Sequence, residues 1–235
     1  MPATLFISDL HLRQNKPHDI QAFENIGKRL PKTIEAVYIL GDFFNAWAGD
    51  DDHNAWLHPI KTGLENLTSK VPVYLMAGNR DLLLGKQFCQ KNTCHWLDDP
   101  TVINLYGKKT LLTHGDLFCS EDIAHQRFRN ITAIPWLRNA FLTLPLRLRQ
   151  SITGQIRQYS QDNPSSPLAD INLAFAEAEL RKKECSRMLH GHIHFFRHHH
   201  FTADLDCIAL PMWEDSGAHI IYKDNHQFEC IETGF

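Results

Sequence analysis

The sequence predicts an α/β fold, a sandwich of two sheets flanked by helices, with a helical segment inserted between strands. Three observations carry this reading. Short apolar runs rich in β-branched residues alternate with helical stretches in the N-terminal half. After His194 strand signals follow one another without helix signals, which indicates a second, mostly antiparallel sheet packed on the first. From about Leu117 to Lys183 the strand pattern gives way to a mainly helical stretch broken at Pro135, Pro145, Gly154 and an Asn163-Pro164-Ser165-Ser166-Pro167 loop.

Taken in order, Leu5-Phe6-Ile7-Ser8 reads as a buried strand running into Asp9. A helix follows over Ile20–Leu30. Ala36–Leu40 is the next strand, running into Gly41-Asp42, and Ala55–Leu67 the next helix. Val71–Met76 leads into Gly78-Asn79-Arg80-Asp81, and Thr110–Thr113 into His114-Gly115-Asp116. Beyond the insertion, Arg187-Met188-Leu189 leads into His190-Gly191-His192-Ile193-His194. His200–Leu210, Ala218–Asp224 and Gln227–Glu232 complete the strands, with Lys223-Asp224-Asn225 as a turn. In an open α/β sheet, ligands bind beyond the carboxyl ends of the strands, and all five polar clusters fall there.

The 235 residues suit one large domain, 1–235, carrying the insertion at 117–183. Lys and Arg number 24 against 27 Asp and Glu, a net charge near −3, which argues against a general nucleic-acid binder. No apolar run is long enough to span a membrane, and MPATLFISDLH lacks the features of an export signal, so a cytosolic protein is expected. None of the six cysteines forms a C-x-x-C pair, and small buried hydrophobes in a reducing compartment are expected.

The candidate metal ligands are Asp9, His11, Asp42, Asn79, His114, His192 and His194. Asp9 and His11 are two apart at a strand end and point to the same side, and His192 and His194 repeat that spacing. Carboxylate, amide and imidazole together suit Mn²⁺, Fe²⁺ or Zn²⁺ better than Mg²⁺. Seven ligands exceed what one ion with an open position uses, whereas two ions sharing one carboxylate would use all seven. Paired ions lower the pKa of a bridging water and neutralise phosphoryl charge, the usual device for hydrolysing phosphate esters and anhydrides.

The motif order D-x-H, G-D, G-N-x-D, H-G-D, G-H-x-H, running from Asp9 to His194, resembles the calcineurin-like metallophosphoesterases. That resemblance implies Asp9, His11, Asp42 and His194 around one ion and Asp42, Asn79, His114 and His192 around the other, with Mn²⁺ the expected ion. Within the superfamily, Ile39–Asp52, Gly78–Lys86 and Pro135-Trp136-Leu137 with Leu144-Pro145-Leu146 are similar to the UDP-2,3-diacylglucosamine pyrophosphatase family of lipid A biosynthesis in Gram-negative bacteria. This implies hydrolysis of UDP-2,3-diacylglucosamine to 2,3-diacylglucosamine 1-phosphate and UMP by hydroxide attack on the α-phosphorus. It also implies a peripheral place on the cytoplasmic face of the inner membrane and a helical cap that binds the diacyl sugar. Asn79, Arg80 and His192 are the implied catalytic residues. The implied substrate contacts are these three with Asp122 and Ser160. Asn163 stands in for a loop where Pro164 and Pro167 replace the family's polar residues.

Arg80 occupies the position where most of the superfamily carries a histidine, a candidate acid for an alkoxide leaving group. Arginine is a poor proton donor and a good clamp for phosphoryl oxygens. Such a site favours an anhydride, whose leaving phosphate needs no proton. The rival is another dinuclear phosphodiesterase or phosphatase on the same scaffold. Between Ile123 and Ser160 six arginines interleave with large apolar residues and no acidic residue occurs, a composition that fits either a helical hairpin with a solvated basic face or an amphipathic cap, and the resemblance implies the cap. Asp50-Asp51-Asp52 reads as a solvated, helix-capping loop and His198-His199-His200 as a solvated strand start, while Trp47 suits either core or pocket wall.

Overall fold

The computed structural model describes residues 1–121, 123–132, 134–162 and 170–231. Eleven strands among them form two sheets. The first has the order β11 (Phe228–Ile231), β10 (His219–Lys223), β1 (Ala3–Ile7), β2 (Ile34–Leu40), β3 (Val73–Met76), β4 (His95–Trp96). The pairs from β1 to β4 are parallel, and β10 joins β1 antiparallel. The second has the order β5 (Thr101–Leu105), β6 (Lys108–Thr113), β7 (Arg187–His190), β9 (Leu205–Ala209), β8 (Arg197–Thr202). Here β6, β7 and β9 are parallel, with an antiparallel strand at each edge.

The two-sheet architecture matches the sequence expectation, but the strands divide differently. β6 and β7 belong to the second sheet, and the C-terminal strands are split between both sheets. Periodicity reports how a strand is buried, not which sheet it joins. The predicted strand over His200–Leu210 is a hairpin, β8 turning at Ala203-Asp204 into β9.

The inter-sheet core is apolar. Phe6, Leu40 and Met76 of the first sheet meet Leu112, Leu189 and Ile208 of the second, all fully buried. Helices α1 (Pro17–Arg29) and α2 (His58–Thr68) cover the outer face of the first sheet through Ile20, Phe23, Ile26, Ile60, Leu64 and Leu67. Trp47 belongs to this outer core, stacked on Phe44 with ring centroids 4.2 Å apart. Five of the cysteines are buried, Cys230 is half-buried, and none of the six is in a disulfide. A further helix, α3 (Lys86–Lys91), starts beside Asp50, whose carboxylate accepts from Gly85 N and Phe88 N at 3.2 and 2.9 Å.

Between β6 and β7 lie α4 (Ile123–Thr132), α5 (Pro135–Leu142), α6 (Leu146–Asp162) and α7 (Leu173–Lys182). α7 packs Ala176 and Leu180 onto the outer face of the second sheet. α6 is held differently, by polar contacts to the loop after Asp42. The buried Arg149 forks onto the Asp51 carboxylate, with Nη1 2.9 Å from Oδ1, and also bonds the carbonyls of Ala48 and Leu144. Gln150 Nε2 donates to Asp52 Oδ2 at 2.9 Å. The acidic triplet is thus a set of anchors rather than a solvated loop, though Asp50 does cap a helix as expected. Arg149→Leu leaves those carbonyls without their donor, and we expect a loss of about 1–3 kcal/mol in urea-induced unfolding.

Candidate metal centre

All five ligand-bearing segments emerge on one side of the sandwich, at the carboxyl ends of β1, β2, β3, β6 and β7. Each chain must leave its sheet sharply there. Asp9, His11, Asp42, His192 and His194 have φ of 56°, 48°, 51°, 71° and 66°, the left-handed region that side chains with a Cβ rarely adopt. Residues held there cost roughly 1–3 kcal/mol each and cluster at functional sites. Two motif glycines permit the approach of neighbouring segments. A Cβ on Gly78 would lie 2.2 Å from Asp42 Oδ1, and one on Gly191 would lie 2.6 Å from Asp9 Oδ2.

The structure brings all seven predicted ligands together. Donor atoms of Asp9, His11 and His194 lie within 4.8 Å of one another, as do those of Asp9, Asp42 and His114. Asp42 faces both ways: Oδ2 is 3.2 Å from His11 Nε2 and Oδ1 is 3.6 Å from His114 Nε2. Asn79 Oδ1 sits 2.9 Å from His114 Nε2 and 3.0 Å from His192 Nδ1. On the far side of its ring, His114 Nδ1 donates to the Leu40 carbonyl at 2.9 Å, which fixes the ring with Nε2 toward the centre.

The electrostatics suit a cation. Asp9 Oδ1 is buried without a hydrogen-bond partner among the described residues, with His194 Nε2 at 3.4 Å and His11 Nε2 at 3.8 Å. Burial opposes ionisation of Asp42, yet the charges of His114 and Arg80 and the hydrogen bond from His11 hold its carboxyl well below the usual range. Burial likewise opposes a charge on His114, but the carboxylates of Asp42, Asp9 and Asp116 push it up to about 9. His192, buried beside that charge, is pushed down to about 4 and so presents a neutral imidazole.

Several residues around the centre were not predicted as parts of it. Glu214 Oε2 accepts from His11 Nδ1 at 2.7 Å, and its Oε1 takes Arg13 Nη2 at 2.6 Å and Lys16 Nζ at 2.8 Å. The buried Asp81 accepts from Gly78 N at 2.7 Å and Phe44 N at 3.0 Å, which pins the Asn79 loop to the Asp42 loop. Three guanidiniums converge on Asn45 Oδ1, from Arg13 at 3.3 Å, Arg80 at 3.4 Å and Arg157 at 3.1 Å. Burial, then the charge of Arg80, pushes Arg157 down to about 10. Arg80 also lies 3.2 Å from Asp42 Oδ2 through Nε. Ser160 is exposed in the last turn of α6, one turn beyond Arg157, while Asp122 and Asn163 lie outside the described residues. His190 is buried beside the centre, with Nδ1 on the Gly191 carbonyl.

Residues 3–196 match the calcineurin-like phosphoesterase family. A UDP-2,3-diacylglucosamine hydrolase of Aeromonas salmonicida is 39% identical over 96% of this chain and 91% of its own length. One of Edwardsiella ictaluri is 42% identical over 98% of this chain and 92% of its own. Among solved structures, an archaeal phosphodiesterase shares the fold at a TM-score of 0.53 and 14% identity, covering 97% of this chain and 98% of that one. With its motifs in order and their side chains gathered at one end of the sandwich, the chain belongs to the calcineurin-like phosphoesterases and, within them, to the UDP-2,3-diacylglucosamine hydrolase family.

Proposed function

We propose that this chain hydrolyses the diphosphate of UDP-2,3-diacylglucosamine, giving 2,3-diacylglucosamine 1-phosphate and UMP, with water entering at the α-phosphorus. The observation that carries this reading is the meeting of Arg13, Arg80 and Arg157 on Asn45 Oδ1 beside the seven ligand residues. Like charges gathered this closely repel one another, and a diphosphate relieves that repulsion through charge-assisted hydrogen bonds. The family's substrate supplies such a group.

Two divalent ions, Mn²⁺ in our reading, would be held by Asp9, His11, Asp42 and His194 on one side and by Asp42, Asn79, His114 and His192 on the other. Bound ions of this kind acidify coordinated water and neutralise phosphoryl charge. The chain's own groups position and complement them. Glu214 orients the His11 ring, and the Leu40 carbonyl orients His114. Asn79, Arg80 and His192 face the phosphoryl oxygens, where positioned donors are most effective on developing charge. Arg80 donates no proton, and the departing phosphate needs none.

Residues 117–183 act as a cap in this reading. Trp136, Leu148, Ile156 and Tyr159 are exposed on its helices, beside arginines, as a surface for acyl chains and anionic lipid requires. No helix among the described residues is long and apolar enough to cross a membrane. Such a cap would place the enzyme peripherally on the cytoplasmic face of the inner membrane, with Ser160, Asp122 and Asn163 toward the sugar headgroup.

The test is UMP release from UDP-2,3-diacylglucosamine by the purified protein across a Mn²⁺, Mg²⁺ and Zn²⁺ series. Faster turnover of simple aryl phosphates than of the lipid would refute the proposal. Two variants probe its parts. Glu214→Gln should weaken metal binding about 10–100-fold by calorimetric titration, the usual cost of losing a ligand's outer partner. Arg157→Ala should raise KM for the diphosphate while leaving metal content intact, and an unchanged KM would remove Arg157 from the site.

A further inference from the structure

At the end of the sandwich opposite the metal centre, β6, β7 and β9 begin rather than end, and the inter-sheet core turns polar. Asp206 alternates with Cys207 along β9 and so projects between the sheets with Ile208, as Arg187 does with Leu189 on β7. Arg187 Nε donates to Asp206 Oδ1 at 2.6 Å, its Nη2 bonds Oδ2, and its Nη1 donates to the Tyr222 hydroxyl at 2.7 Å. On the edge strand β8, His200 stands directly across from Asp206, and His198 lies on the same face. His198 Nε2 is 2.9 Å from Asp206 Oδ2. A cavity of about 540 Å³ opens here, with Lys108, His198, His200, Asp206, Lys223 and His226 in its wall.

We propose that His198, His200 and Asp206 form a second binding site for a borderline divalent cation, Zn²⁺ or Ni²⁺, separate from the phosphoesterase centre. Their donor atoms lie within 4.8 Å of one another. Same-face neighbours on a strand are about 7 Å apart at the backbone, yet these two imidazole centroids are 3.9 Å apart, converging on one point. Two imidazoles and one carboxylate are a three-ligand set with an open fourth position, suited to zinc-class ions and poorly suited to Mg²⁺ or Ca²⁺. Two of the positive groups nearby are paired, Arg187 with Asp206 and Lys223 with Glu229 at 2.7 Å. Arg187 holds the Asp206 carboxylate in a fixed plane, as hydrogen bonds do for ligating carboxylates elsewhere. The register shift between His200 and Thr202 is an irregularity in the β8–β9 ladder, and an ion here would fasten that edge strand to β9.

The experiment compares wild type, His200→Asn and Asp204→Asn, an acidic neighbour in the same cavity wall. Each protein is equilibrated with micromolar Zn²⁺ and its metal content measured by plasma mass spectrometry, alongside thermal unfolding with and without Zn²⁺. His200 is exposed, so its replacement should leave the metal-free midpoint unchanged. Wild type and Asp204→Asn should hold one more Zn²⁺ per chain than His200→Asn and show a larger Zn²⁺-induced rise in midpoint. Equal zinc content in all three proteins would overturn the site, as would equal loss in both variants. A fall in the metal-free midpoint of His200→Asn with its zinc content unchanged would assign His200 a structural role and would also overturn it. None of these readouts uses hydrolysis, so the proposed activity stands or falls separately.

Discussion

Replacing Asp42 with alanine should cost the most of any single substitution, lowering hydrolysis by well over about a hundredfold, the upper end of the loss for an outer partner alone. Its two carboxylate oxygens face His11 on one side and His114 on the other, so its removal damages both ligand groups at once. Metal content, read by mass spectrometry, should fall with activity. Asp42 also accepts from Arg80 N at 2.8 Å, and alanine would release the loop that carries Asn79. Asp42→Asn separates the two effects, because the amide oxygen can keep the Arg80 contact while the charge is lost. Activity near wild type in either variant would end the shared-carboxylate mechanism.

Arg80→Ala should lower kcat by about 10²–10³-fold, the range for losing one donor aimed at developing charge. Metal stoichiometry should not change, because the guanidinium supplies charge and hydrogen bonds rather than ligation. Lysine should restore little, since it carries the charge without the planar fork. A further comparison tests why this chain has arginine where an acid would serve an ester. Loss of Arg80 should slow the diphosphate substrate more than an aryl phosphate diester. Equal slowing of both would mean that Arg80 is general to phosphoryl binding and does not reflect an anhydride preference.

The seven residues that gather at the candidate centre were legible because they sit at strand ends, where i, i+2 spacing and neighbouring glycines are visible in one dimension. Arg80 stood out for a similar reason, being embedded in a motif. Glu214 and Asn45 carry no such mark. Each acts by reaching across from another loop, Glu214 over 203 residues to His11, and no local pattern encodes that meeting. Arg13 and Arg157 were visible only as charges, and their convergence depends on how α6 lies over the Asp42 loop. β4 and β5 escaped because a two-residue bridge and a half-exposed hairpin arm lack a long apolar run. The histidine triplet looked like solvent-facing chain, since its partner Asp206 is identified only by the register of β8 on β9.

Strand order also governs when this protein can become itself during synthesis. β10 pairs with β1, and Glu214 comes from the segment just before it, so β1 waits for a strand made some two hundred residues later. Until about residue 220 has left the ribosome, β1 has one neighbour, His11 lacks its carboxylate, and one of its edges stays open. Long-range pairings of this kind are slow to form and leave nascent chains prone to misassociation. Metal uptake should therefore be a late event, coincident with emergence of Glu214 and β10 rather than of the first ligand.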